Sequence, residues 1–289
     1  MSARPVESRP HDPLVLPRPT ALGLRWEELW LRLLPHVARE YAWAPVDGFR
    51  MFGATPHQRY LAGLRRGRVE RFTAQLFREH VRPGLTVVDV GAYLGYYTLH
   101  GARGTGSTGR TYAFECDPVN HRFLLHNLRL NGLHEAVVAS AAAVSDRIGS
   151  LPFFIRSFDL SGGSLWQETS AQAVVDVDST TLDHALGGEP VNVMKMDIEG
   201  GEPRAFAGMT NTIAVSPDLV VFVECNPHAL ASSGSSAVRL IECLRELGFD
   251  VSEIDEKRRL CRPVTERLLA DESAEDPKLH VNLYCRKRR

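Results

Sequence analysis

Several acidic residues and glycines in this chain stand where apolar runs end, and at such places they could do chemistry. In Val87-Val88-Asp89-Val90-Gly91-Ala92-Tyr93-Leu94-Gly95-Tyr96-Tyr97-Thr98, an apolar run delivers an acid and a tight glycine turn, and a helical pattern follows directly. Open α/β sheets bind ligands at such C-terminal strand ends. Gly91 and Gly95 let a ligand approach the backbone, and the N–H groups of a helix start suit a carboxylate. Asp89 can meet a cationic group. A second run ends in Ala113-Phe114-Glu115-Cys116-Asp117, where Glu115 is placed to accept bonds from two ribose hydroxyls. A ligand carrying ammonium, carboxylate and ribose fits these groups better than a dinucleotide.

A further run, Val193-Met194-Lys195-Met196-Asp197-Ile198-Glu199-Gly200-Gly201-Glu202, puts Asp197 and Glu199 at the mouth of the same cleft. Either could orient or deprotonate an acceptor hydroxyl, or hold a divalent metal ion with waters. Glu199 and Glu202 could instead cap the following helix, whose dipole favours negative charge. Lys195 stands inside a buried strand, where an unpaired ammonium is costly. Of the 11 histidines, His228 is the one the spacing brings towards the cleft. Gly104-Thr105-Gly106-Ser107-Thr108-Gly109 satisfies GxGxxG literally, but it follows a helix and precedes a strand, so it reads as a connection and not a dinucleotide fingerprint.

The elements that must hold these residues follow from hydrophobic rhythm. Strands are expected at Thr86–Val90, Arg110–Glu115, Ala136–Ala142, Val191–Asp197, Leu219–Glu224, Phe249–Ile254 and His280–Arg286. Helices are expected at Arg68–Val81, Tyr96–Ala102, Pro118–Leu130, Glu202–Met209 and Ser236–Leu247. Asp117 with Pro118 reads as a helix start and Gly248 as a helix stop. Short apolar strands alternating with helices make a parallel sheet covered on both faces, with the last two strands pairing antiparallel at one end. Residues 144–190 are too long for an ordinary crossover and suggest an inserted β-hairpin. Upstream, Trp26–Tyr41 reads as a helix broken at Pro35, behind a proline-rich disordered tail over 1–20. The expected organisation is that tail, a helical extension over 21–67 and a single domain over 68–289.

Composition narrows the function. The formal net charge of −1 argues against a nucleic-acid partner and points to a small, uncharged hydroxyl acceptor. No apolar run approaches the about 20 residues that span a bilayer. Five scattered cysteines without a CxxC pair favour free thiols and a cytoplasmic setting.

DVGAYLGYYT, AFECDPVNHRFLLHNLRLNG, the TTLD of Thr180–Asp183, MKMDIEGGE and FVECNP, in that order, resemble the FkbM family of S-adenosylmethionine-dependent methyltransferases. The resemblance implies a Rossmann-like class I fold with a seven-stranded, mostly parallel sheet. It also implies O-methylation of a sugar or natural product, as in antibiotic biosynthesis. Carried onto this chain, Asp89, Gly91 and Gly95 line the methionine end and Glu115 the ribose, with Ala92, Tyr93, Tyr96, Cys116 and Asp197 also among the cofactor-binding residues. Ala142 and Ala143 line the adenine, and Asp197, Glu199 and Glu224 face the acceptor. In that strand order Asp89 and Glu224 become the expected partners of Lys195. The family's usual asparagine in the glycine turn is Tyr93 here, and its usual proline after the ribose acid is Cys116. Residues 1–67 fall outside the resemblance and are expected to form a lid or a homodimer contact. The readings kept open beside this one are methylation of a nitrogen or a carboxylate, a cofactor-binding scaffold without activity, and a nicotinamide oxidoreductase.

Overall fold

The computed structural model describes residues 41–289 apart from 55–56, 157–162, 167–170, 277 and 289. The proline-rich tail and the helix expected over Trp26–Tyr41 lie outside the described residues, except that Tyr41 begins a strand.

The first described element corrects the expected helical extension. β1 (Tyr41–Val46) and β2 (Phe49–Ala54) form an antiparallel hairpin, followed by a helix, α1 (Gln58–Arg65). Asp47 and Gly48 at its tip both have positive φ, +48° and +80°, as a two-residue type I′ turn requires. That Asp-Gly pair is a strong hairpin signal. The hairpin is held to the domain by side chains that imitate strand pairing. Asn127 Oδ1 accepts from the Phe52 N–H at 2.7 Å, and Asn131 Oδ1 accepts from the Arg50 N–H at 2.9 Å.

The domain continues with α2 (Arg71–His80), β3 (Thr86–Val90), α3 (Tyr96–Thr105), β4 (Arg110–Phe114), α4 (Pro118–Leu130), β5 (Val137–Ser140) and β6 (Ala143–Val144). Next come β7 (Gly149–Arg156), β8 (Ala171–Thr180), α5 (Leu182–Leu186), β9 (Val193–Met196), α6 (Glu202–Ala207), α7 (Thr210–Ala214) and β10 (Val220–Cys225). It closes with α8 (Pro227–Ser232), α9 (Ala237–Glu246), β11 (Phe249–Asp255), β12 (Leu260–Arg262), α10 (Glu266–Leu269) and β13 (Val281–Lys287). Asp117 caps α4, accepting from the Val119 and Asn120 N–H groups, and Gly248 takes φ +88° after α9, as the sequence predicts.

The central sheet has the order β12-β11-β13-β10-β9-β3-β4-β5, parallel from β10 to β5 and antiparallel where β13 enters between β10 and β11. It has eight strands, not seven. The extra one, β12, is short and folds back on β11, where Arg262 meets the buried Glu253 at 2.6 Å. β10 is buried along its whole length, as a strand covered on both faces must be. One face packs Val87, Val193 and Phe222 against α1 to α4 and the hairpin; the other packs Val88, Met194 and Val223 against α5, α6 and α9. The 144–190 segment contains the expected hairpin, β7 with β8, and β6 joins it to make a separate three-stranded sheet. Ser161 and Gly162, in the Ser161-Gly162-Gly163-Ser164 loop between β7 and β8, lie outside the described residues.

Candidate active site

The alternation of side chains along a strand sorts the acids before any tertiary contact does. Asp89, Lys195 and Phe222 are level across β3, β9 and β10, and Glu224 lies two residues further along the same face. A cleft of about 440 Å³ opens at these C-terminal strand ends. Every expected cofactor or acceptor residue lines it except Gly95.

The glycine turn is built by crowding from the protein itself. A Cβ on Gly91, at φ +80°, would lie 1.8 Å from the Asp197 carbonyl oxygen. Gly95 is needed as the left-handed N-cap of α3 and lies against Leu124, which is why it does not reach the cleft. Tyr93 also has positive φ, +51°, a conformation that asparagine tolerates better than tyrosine. Its ring packs edge-on to His57 and Tyr60, with centroids 5.2 and 4.9 Å away.

Glu115 accepts the Tyr93 N–H at 2.7 Å on one oxygen and the Asp117 N–H at 2.9 Å on the other. Each oxygen keeps a second lone pair. Burial pushes this carboxyl up to about 8 against those two donors. Beside it, Ala142 and Ala143 line the cleft together with Phe153 of the inserted sheet and Leu165, giving the cleft an apolar end. Cys116 is half-buried there, and its thiol is pushed well above its ordinary range by desolvation and by the Glu115 carboxylate.

The charged cluster differs from the expected one. Asp89 turns to α3, where it accepts the Thr98 hydroxyl at 2.5 Å, and burial raises its carboxyl to about 6. The direct partner of Lys195 is Asp197, at 3.1 Å. Burial opposes the ammonium charge, but the Asp197, Glu70 and Glu224 carboxylates outweigh it and hold Lys195 above its ordinary value. Glu224 is 9% exposed and its Oε2 has no hydrogen-bond partner among the described residues. Burial, then the Asp197 and Glu199 carboxylates, push Glu224 well above the usual carboxyl range.

Glu70, which the sequence did not single out, completes this group. Tyr97 donates to one of its oxygens at 2.9 Å and Asn282 to the other at 2.5 Å. Glu70, Asp197 and Glu224 each offer an oxygen within 4.8 Å of the others, a spacing that could hold a divalent cation. Its arrival in the cleft depends on a chain return that no local spacing announces. Asn226 at the cleft mouth lay within reach of sequence reasoning, since it belongs to the FVECNP run.

The remaining expectations sort by role. Glu199 has φ +51° and takes a 3.4 Å contact from Asn226. Glu202 accepts the Ile198 N–H at 3.1 Å and is buried, so it closes the turn ahead of α6. Asp183 accepts the Asn211 and Thr212 N–H groups at the start of α7, so the TTLD run builds the frame. His228 does not reach the cleft: α8 turns it outward, where Nδ1 meets the Ala274 carbonyl at 3.0 Å, and His280 lines the cleft instead. Gly104 to Gly109 end α3 and lead into β4, away from the cleft lining.

Comparison with known proteins bears on this constellation. An S-adenosylmethionine-dependent O-methyltransferase from Thermotoga maritima is similar at 16% identity and a TM-score of 0.42, over 75% of this chain and 64% of that one. The chain therefore spans less than two thirds of that protein. A putative transferase from Pyrococcus horikoshii is similar at 13% identity and a TM-score of 0.46, over 91% and 84%. An S-adenosylmethionine-dependent methyltransferase from Agrobacterium tumefaciens is similar at 11% and 0.48, over 86% and 70%. No curated protein matches in sequence. Residues 89–251, more than half of the chain, match the methyltransferase FkbM domain. The chain belongs to the FkbM family of S-adenosylmethionine-dependent methyltransferases.

Proposed function

We propose that this chain methylates a hydroxyl of a small molecule, of the sugar or natural-product class. The observation that carries the reading is the unpartnered, buried Glu224 oxygen beside Asp197 and Lys195, at the strand ends that the glycine turn and Glu115 share. A free alcohol must lose its proton to become a good nucleophile, and a carboxylate whose proton affinity is raised by burial and by neighbouring acids is a suitable acceptor for it.

The residues present fit the cofactor. The first N–H groups of α3 have no intrahelical acceptor and suit its carboxylate. The spare lone pairs of Glu115 suit the ribose hydroxyls, and the apolar end at Ala142, Ala143 and Phe153 suits the adenine. When bound, S-adenosylmethionine supplies an electrophilic methyl carbon on a positively charged sulfur. The chain's part is to hold the acceptor oxygen in line with that carbon and to take its proton. Such positioning can supply up to about 7–11 kcal/mol in favourable cases. Glu224 takes the proton from the acceptor hydroxyl, and Lys195 fixes Asp197 so that it orients the same hydroxyl. Lys195 already gives the cluster one cation, so the reading needs no metal. The unpaired cysteines fit the cytoplasm as the place of work.

The test is an intact-mass screen of hydroxyl acceptors with S-adenosylmethionine. A one-methyl gain is expected with wild type. Glu224→Gln and Asp197→Asn should still bind S-adenosylhomocysteine while turnover falls about 10²-fold or more. Full turnover in Glu224→Gln removes it as the proton acceptor. Unchanged turnover with a chelator is expected; its loss would assign Glu70, Asp197 and Glu224 to a metal.

A further inference from the structure

A second cavity, of about 410 Å³, lies beside the cleft, and Val69 and Tyr96 line both spaces. Among the described residues, five arginines line it, Arg65, Arg66, Arg71, Arg78 and Arg259, against one carboxylate, Asp47. They arrive from separate segments. Arg65 and Arg66 stand at the end of α1, which closes when Gly67 takes φ +60° and its N–H reaches the Leu64 carbonyl at 2.9 Å. Arg71 and Arg78 come from α2, and Arg259 from the turn between β11 and β12.

Helix electrostatics accounts for part of this set. Arg65 and Arg78 stand in last turns, where the dipole favours a cation. Arg71 is the first residue of α2, where the dipole disfavours one. The single carboxylate is already engaged, since Asp47 meets Arg78 at 3.0 Å and accepts the Tyr96 hydroxyl at 2.6 Å. Arg259 donates to Gln75. Arg65, Arg66 and Arg71 have no carboxylate partner among the described residues. Several arginines lining one concave space match a tetrahedral, multiply charged oxyanion, because each planar guanidinium fork can offer paired N–H groups to two oxygens.

We propose that this arginine-lined cavity binds a phosphoryl group. The site stands on its own geometry, apart from the hydroxyl-methylation reading. Because the cavity shares a wall with the cleft, two sources would supply the same chemistry: the acceptor's own phosphate, or free phosphate.

Calorimetric titration of the full chain with inorganic phosphate, against chloride at matched ionic strength, tests it. Saturable binding of phosphate at one site per chain is expected, weakened about tenfold or more by Arg71→Ala and by Arg65→Ala. Both variants should bind S-adenosylhomocysteine as wild type does, which shows that they fold and keeps this site's failure distinct from that of the cofactor reading. Glucose 1-phosphate binding more tightly than inorganic phosphate supports the site and assigns it to a phosphorylated acceptor. Equal affinity supports it and assigns it to free phosphate. No saturable phosphate binding, or binding that both substitutions leave unchanged, overturns the proposal.

Discussion

Lys195 is 1% exposed, and its ammonium faces three carboxylates, with Asp197 in direct contact. The cluster expected from the sequence, Asp89 and Glu224 about Lys195, predicts that Lys195→Met leaves a folded protein with weakened cofactor binding. The observed cluster predicts a larger effect, because removing the cation leaves the half-buried Asp197 and Glu70 and the buried Glu224 without a compensating charge. Lys195→Met should destabilise by about 3–5 kcal/mol, read by urea denaturation. A loss below about 1 kcal/mol would mean that the cluster is not held by this cation. Glu224 gives a second prediction. Its carboxyl is raised by burial and by Asp197, so turnover should climb with pH as that carboxyl ionises, and Glu224→Gln should flatten the rise. The sequence left the proton to Asp197 or Glu199; the pairing of Asp197 with Lys195 is why the proposed role falls to Glu224 instead. Asp89, Glu115 and Asp197 were legible because each is an acid ending an apolar run. Glu70 was not, because its place depends on Tyr97 and Asn282, the latter 212 residues away in sequence.

The glycine turn and the hairpin show where local signals suffice. Gly91 is needed because β3 and the end of β9 nearly touch, so Gly91→Ala should cost at least about 1–3 kcal/mol and abolish cofactor binding. Gly132, at φ +68° with nothing within 4 Å of where a Cβ would stand, should cost only about 1–2 kcal/mol as alanine and leave binding intact. Equal binding by the two variants, measured by calorimetry, would contradict the crowding at Gly91. The strands of the sheet were legible as short apolar runs, and their order followed from the family resemblance. The hairpin over 41–54 was legible in Asp47-Gly48, but helical spacing upstream drew the reading the other way. The docking of β2 onto α4 was beyond local reading, since it rests on Asn127 and Asn131, about 80 residues on.

The net charge of −1 is an average over unlike regions: an acidic cleft and an arginine-lined cavity share one wall. The expectation of an uncharged acceptor came from that average and could not see the separation. Buried carboxyls also tie the fold to pH. Burial raises Asp89 to about 6, Glu202 to about 7 and Glu115 to about 8. A carboxyl raised on folding adds stability below its unfolded value, and that stability is lost as pH rises through the folded value. Burial lowers His80, His100, His121 and His126, which oppose this trend below about pH 6.5. The cofactor-free protein should therefore lose stability between about pH 6.5 and 8, where each 1 kcal/mol lowers Tm by roughly 2–4 °C. A Tm that rises across that window would contradict the protonated burial of these groups.

Cofactor capture across the Gly91 turn and Glu115 is the claim on which the rest depends, and calorimetric titration with S-adenosylhomocysteine tests it most directly. Wild type should bind one equivalent saturably, and Glu115→Ala at least about tenfold more weakly, since the acceptor for two hydroxyls is removed. No binding by folded wild type, or equal affinity in Glu115→Ala, would contradict it.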